Sequence, residues 1–262
     1  MKTTSFTLTL ILLLALLPVS NSRAEKLTAL QIMENVYNRP EGKDRTSDLK
    51  MTLINKFGDE RVRSIRQFGA DLGKVEKNIM FFLAPADVKQ TSFMNWSYDE
   101  PGKDDDQWFY LPALRKIKRI SSESKGDYFM GSDFTYDDLG DRRPDEDTHT
   151  LLRTDTVDGK DYYVVESVPK EEDYMYSKTI TWVATNGSWI GLTKEFYDED
   201  GELLKVLSVD KVEQIQGYWT ILQSTMHNVQ NDHKTVMELS KVKYDTGIKE
   251  SMFTERMMKR GL

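Results

Sequence analysis

The sequence has no cysteine and only three histidines, His149, His227 and His233. The first absence excludes a disulfide framework, a thiolate metal site and a cysteine nucleophile, so the fold must be held by its core. The second leaves little for metal ligation: His227 and His233 straddle an expected turn and read as surface residues of a hairpin. No HExxH, GxSxG or glycine-rich phosphate loop occurs, and nothing in the pattern reads as catalytic or calls for a cofactor. Proline and glycine are scattered singly, without a linker, a low-complexity tract or a repeat of fixed period, which argues against a propeller or solenoid. A formal charge of −7 makes nucleic acid a poor partner.

A long apolar run occurs at the N-terminus. MKTTSFTLTLILLLALLPVSNSRA has the form of a secretory signal peptide: Lys2 opens it, Leu8 to Leu17 form the apolar stretch, Pro18 breaks it, and Ser22 and Ala24 are the small residues before a cut after Ala24. The run is too short to cross a bilayer. Residues 1–24 are therefore expected to be removed, which makes the exported chain two units more negative. Because Glu25 and not cysteine follows the cut, a periplasmic protein without a lipid anchor is expected. Residues 25–262 suit one domain, since all-β barrels reach roughly 200–250 residues as single units.

KLTALQIMENVYN spaces Leu27, Leu30, Met33 and Tyr37 as the stripe of an amphipathic helix. The period then changes to two. Leu49, Met51 and Leu53 alternate with polar residues, Gly58-Asp59 marks a turn, and ERVRSIRQFG returns as a partner strand. Hairpins recur about Asp158-Gly159 and Asn186-Gly187, and Asp200-Gly201, Gly217 and Asn231-Asp232 join long antiparallel strands. IKESMFTERMMKRGL closes the chain as a short helix with Met252, Phe253 and Met257 on its apolar side. Few short helices can cover so large a sheet only if it curls around them, which predicts an apolar hollow.

Several features read as structural. The acidic residues Asp99, Glu100, Asp104, Asp105 and Asp106 surround Pro101-Gly102 without EF-hand spacing and suit a solvated loop. Asn95-Trp96-Ser97 and Asn186-Gly187-Ser188 fit the glycosylation sequon but fall in an apolar strand and a tight turn. Trp96, Trp108, Trp182, Trp189 and Trp219 suit either a core or a lipid-binding wall, and the 12 methionines suit surfaces that repack around apolar ligands.

FFLAPADVKQTSFMNWSYDE, followed by DDDQWFYLPALRKIKRISSESKGDYFMGSDFTYDDL, resembles the signature block of the LolA-like outer-membrane lipoprotein-sorting proteins, part of the LolA/LolB superfamily. The resemblance spans Phe81 to Leu139. It implies a mainly β fold with short α-helices: a strongly curved antiparallel half-barrel with helices lidding a concave face that holds acyl chains. Members resemble periplasmic carriers of lipoproteins or other lipids, and some accompany RND-type exporters. The implied partners are lipid or lipoprotein acyl chains, an inner-membrane exporter and an outer-membrane acceptor. The rival from another class is an envelope scaffold accessory to an exporter, its sheet filled with its own side chains.

By alternation, Leu49, Met51, Leu53, Ile79, Phe81, Met94, Trp96, Trp108, Tyr110, Trp182 and Leu192 are expected to line the cavity. A slip of one residue would exchange inside for outside. The polar, glycine-punctuated loop 121–134 is expected to be a flap, with Tyr128, Phe129 and Met130 as an apolar latch at the cavity mouth. In the run LRKIKRI, Arg115 and Arg119 share one face of a strand, Lys116 and Lys118 the other. Arg115 or Arg119 is expected to brace the carboxylates of Asp137 and Asp138, leaving Lys116 and Lys118 for anionic head groups or an acidic partner.

Overall fold

The computed structural model describes residues 26–262. The signal peptide and its cut after Ala24 lie outside the described residues. Among these, thirteen strands form one antiparallel sheet: β1 (Asp44–Ile54), β2 (Glu60–Asp71), β3 (Val75–Ala84), β4 (Ser92–Tyr98), β5 (Asp106–Leu111), β6 (Lys116–Arg119), β7 (Asp147–Val157), β8 (Lys160–Pro169), β9 (Lys178–Ala184), β10 (Gly191–Tyr197), β11 (Leu203–Ile215), β12 (Tyr218–Asn228) and β13 (His233–Tyr244). The expected turns join them; at Asp158-Gly159 both residues have positive φ, 51° and 72°, as a type I′ turn requires.

The strand order is β6-β5-β4-β3-β2-β1-β13-β12-β11-β10-β9-β8-β7. The chain starts at the centre, meanders to one edge, crosses to the other and meanders back, so that β1 meets β13 from Arg45–Tyr244 to Ile54–Lys234. Residues 120–146, a crossing segment of short 3₁₀ turns, join the two edges.

Register places Leu49, Met51 and Leu53 on the same face as Ile65, Phe82, Phe93 and Phe109 on one side and Met237, Met226, Leu207 and Val165 on the other. The crossing segment lies on this face. Phe129 packs on Phe82, Phe93 and Phe109 of β3 to β5, while Phe134 joins Tyr176, Phe196 and Met226 beside β10 and β12. From β5 to β10 is eight strand spacings, roughly 38 Å in a flat sheet. Five residues of chain reach at most about 18 Å. The sheet therefore curls about the segment and this is its inner, concave face. It does not close, because β6 and β7 remain edges.

Helix α1 (Ala29–Tyr37) covers the other end of the inner face. A capping box starts it: Gln31 N donates to Thr28 Oγ1 at 3.2 Å, and Thr28 N donates to Gln31 Oε1 at 2.9 Å. Its buried residues are Ala29 and Ile32, against Val165 and Val183, and Leu30 of the expected stripe is exposed. Helix α2 (Glu255–Arg260) and the chain before it instead cover the outer face of β3 to β5, where Phe253 and Met258 are fully buried. Asp44 anchors this tail by accepting from Thr246 N, Thr246 Oγ1, Gly247 N and Ile248 N at 2.7–3.2 Å. Burial opposes ionisation there, but these hydrogen bonds prevail and hold its pKa below the usual carboxylate value.

Candidate functional site: the inner face and its cavity

The inner face has two unlike halves. Around Phe129, under β1 to β5, it is apolar and filled, while towards the Asn78 and Asn95 end of the same strands it turns polar and borders a ≈590 Å³ cavity. Phe129 has its ring 5.1 Å from Phe93, 6.1 Å from Phe82, 6.4 Å from Phe109 and 5.7 Å from Tyr136, centroid to centroid, and is 1% exposed. Leu49, Met51 and Leu53 complete the surround.

Under β9 to β13 the face carries charge. Lys205, in phase with Leu207 on β11, is fully buried and pairs with Asp138 at 2.5 Å. Its ammonium also donates to the Asp133 carbonyl at 3.0 Å and lies 5.1 Å from the rings of both Tyr176 and Phe196. Asp138 accepts further bonds from Thr135 N and Tyr176 Oη. Asp133 accepts from Thr235 Oγ1 at 2.7 Å and contacts His233 Nδ1 at 2.8 Å. Burial and the neighbouring Asp138 push the Tyr176 hydroxyl far above its usual pKa, so it stays a proton donor.

A cavity of ≈360 Å³ remains between this half, α1 and the crossing segment. Met33, Val36, Phe134, Phe196, Leu207 and Met226 give it apolar wall; Lys194, His149, Arg142 and Asp138 are among its polar residues. His149 Nε2 lies 2.8 Å from the Pro144 carbonyl, which can only accept, so the proton sits on Nε2. Nδ1 then accepts from Ser167 Oγ at 2.8 Å. Arg142 holds Asp147 through Nε and Nη2 at 2.9 and 2.6 Å. Burial depresses the Lys194 ammonium below the usual lysine pKa. Three larger cavities, ≈590, ≈670 and ≈380 Å³, have more polar linings that include Glu41, Glu76, Asp105 and Glu171.

The residues expected at the cavity separate. Leu49, Met51 and Leu53 are on the inner face, around Phe129. Ile79, Phe81, Met94, Trp96, Trp108 and Tyr110 are on the outer face beneath the C-terminal tail. Both faces of β3 to β5 are apolar because both are covered, which is why alternation could not choose between them. Trp182 also faces outward, its Nε1 donating to Asp155 Oδ2 at 3.1 Å, and Leu192 sits in a bulge between Gly191 and Thr193. The expected latch divides as well: Phe129 is a plug in the core and not a residue of a mouth, Met130 is half-buried, and Tyr128 is exposed with its hydroxyl accepting from Asn228 Nδ2 at 3.0 Å.

The arginine brace is corrected. Arg119 pairs with Asp106 on the neighbouring strand, and Arg115 stands in the turn before β6 with φ 51°. Lys205 takes Asp138, and the Tyr174 hydroxyl bonds Asp137, whose pKa burial raises. Lys116 and Lys118 are exposed. A lysine in phase with apolar neighbours was the sequence signal missed at Lys205 and at Lys194, which alternates with Phe196. The sequon residues are structural: Asn95 is buried and donates to Ser97 Oγ, and Asn186 Oδ1 accepts from Ser188 N.

The half-barrel is open at its edges, and its inner face is packed against the chain's own crossing segment. A family model described as an uncharacterized-protein family matches residues 74–260. A domain assigned to outer-membrane lipoprotein sorting in Vibrio parahaemolyticus is 33% identical, with TM-score 0.83, covering 88% of this chain and 98% of its own. A DUF1329 family protein from Desulfovibrio piger is 30% identical, with TM-score 0.83, over 88% of this chain and 97% of its own. A LolA superfamily protein from Nitrosomonas europaea shares the fold at 19% identity and TM-score 0.68, over 88% of this chain and 99% of its own. No curated protein matches. The chain belongs to the LolA-like outer-membrane lipoprotein-sorting family.

Proposed function

We propose that the protein is an exported, non-catalytic carrier that takes an acyl chain, of a lipoprotein or another lipid, onto the apolar half of its inner face in exchange for Phe129. The observation that carries this reading is the plug itself. One aromatic ring, on a segment whose preceding residues 121–128 are mostly exposed and whose next two residues hold positive φ (53° and 71°), fills a groove walled by Leu49, Met51 and Leu53. Burying about twelve methylenes is worth roughly 10 kcal/mol at ~0.8 each. Expelling a phenylalanine from its core costs about 3–5 kcal/mol. The burial terms alone favour the chain by roughly 5–7 kcal/mol, against which the loss of translational and rotational freedom on binding is set.

Family membership supports the further steps. The carrier works in the periplasm after loss of residues 1–24, receives cargo from an inner-membrane source such as an RND-type exporter, and gives it to an outer-membrane acceptor. Among the described residues no helix is long and apolar enough to cross a membrane. The filling of the apolar half favours one rival, a scaffold whose sheet holds only its own side chains. Native mass spectrometry of the purified protein and uptake of a fluorescent fatty acid separate them: copurified lipid, or uptake that rises in Phe129→Ala, fits the carrier. A clean protein that takes up no probe in either form fits the scaffold.

A further inference from the structure

The arginines and lysines around the ≈360 Å³ cavity are paired except at one place. Arg142 holds Asp147, Arg143 holds Asp145 and Glu146, Arg39 holds Glu41, and Lys205 holds Asp138. Asp137 is bonded by Tyr174 and Asp141 is pushed up to about 7 by burial and by Glu76 and other acids, so the remaining carboxylates are drawn toward their neutral forms. Among the described residues Lys194 forms neither an ion pair nor a side-chain hydrogen bond; its ammonium lies 4.9 Å from the Phe196 ring and lines the cavity. Desolvation disfavours such a cation, and the charges of Asp138, Asp147 and Asp137 offset it only in part.

We propose that Lys194 is the headgroup anchor of an anionic amphiphile, a carboxylate or phosphate on a single apolar chain, lodged between α1 and β8 to β12. This goes beyond the carrier reading, because the site is a second one, apart from the groove that Phe129 fills. Lys194 projects from the inner face of β10, with Thr181 and Leu207 opposite it on the flanking strands. An anionic head there meets three donors in a site of low dielectric, and the chain runs against Met33, Val36, Phe134 and Met226. The cavity is near the lower end of ligand pockets, roughly 300–1,000 Å³, which suits one chain and not the several of a diacyl or triacyl lipid. Neutral lipids of the same length lack the charge that Lys194 requires.

The test is displacement of a fluorescent fatty acid from the intact exported chain by palmitate, hexadecyl phosphate and hexadecanol. At least one anion is expected to bind about tenfold or more tightly than the alcohol, and Lys194→Gln and Lys194→Met to abolish that preference, while Lys194→Arg keeps it. The stronger of the two anions identifies the head as carboxylate or phosphate. Both neutral variants should melt no lower than the parent protein, because they remove a desolvated, half-buried cation that has no ion-pair partner; a structural brace would instead lower the melting temperature without touching the preference. Equal competition by anions and alcohol, or a preference that survives in both neutral variants, overturns the proposal and leaves the carrier intact. If none of the three displaces the probe and no lipid copurifies, both are overturned.

Discussion

The two halves of the inner face are made from one sheet, one crossing segment and the same strand spacing, yet they solve burial in opposite ways. Beneath β1 to β5 the side chains packed around the Phe129 ring are hydrophobic, and that residue is 1% exposed. Beneath β7 to β13 the inward positions include Lys194, Lys205 and His149, and Lys205 and His149 are held by directional partners. Directional bonds do not slide to fill gaps as methyl groups do, and the cavities lie beside polar groups: the ≈360 Å³ one in this half, and the ≈590 Å³ one at the polar end of the other, beside Asn78 and Asn95. Packing is therefore adaptable where nothing is charged and fixed where charges are held. An occupant of the first half competes with a side chain; an occupant of the second enters space already present.

Phe129→Ala should break this contrast most strongly. Loss of about 3–5 kcal/mol of stability is expected in denaturant unfolding, with an acyl ligand restoring much of it; a loss below ~1 kcal/mol would mean that the apolar half is not held by the plug. Asp138→Asn leaves Lys205 buried without its counter-charge and is expected to cost about 3–5 kcal/mol, whereas Asp138→Leu with Lys205→Met should recover most of that in a double-mutant cycle. Thr28→Ala removes half of the capping box on α1 and should cost about 1 kcal/mol. Faster amide exchange should follow in α1 and not around Phe129.

The smallest expected effect is one of pH. Asp141 has its pKa pushed up to about 7, through burial first and the charges of Glu76, Asp105, Glu41 and Glu146 second, from an ordinary aspartate value of about 4. The folded state then binds more protons than the unfolded state between these values, so this group's contribution falls as pH rises from about 4 through 7. The side chain is reached by solvent, and screening should hold the change below ~1 kcal/mol. Urea midpoints at pH 5 and pH 8, compared between the parent and Asp141→Asn, measure it; the variant should be less sensitive to pH across that range.

Much of the architecture was legible from turns and period. Asp158-Gly159 and Asn231-Asp232 marked hairpin ends because few residues tolerate the required φ, and the change from period 3.6 to 2 after Pro40 marked the end of α1. The faces were less legible. Where one side of a strand is wet, as in β13, alternation reads directly; in β3 to β5 the C-terminal tail dries the second side, and Ile79 and Phe82 look alike in sequence though they point apart. The ion pairs were illegible for another reason. Nearness along the chain suggested Arg119 for Asp138, but the crossing segment carries its aspartates across the curl to Lys205, 67 residues away.

The meeting of β1 with β13 sets the order in which the molecule can be made. Ile54 waits for Lys234 and Arg45 waits for Tyr244, so closing the centre of the sheet spans nearly the whole described chain. Each meander can assemble from local hairpins, but joining them bears the loop-closure entropy of a long separation and belongs to the slow end of folding. A chain delivered N-terminus first presents the bare hydrogen-bonding edge of β1 before β13 exists to cover it. During that interval β1 is a template for strands of other chains, and prompt arrival of the last strand protects the protein from aggregation.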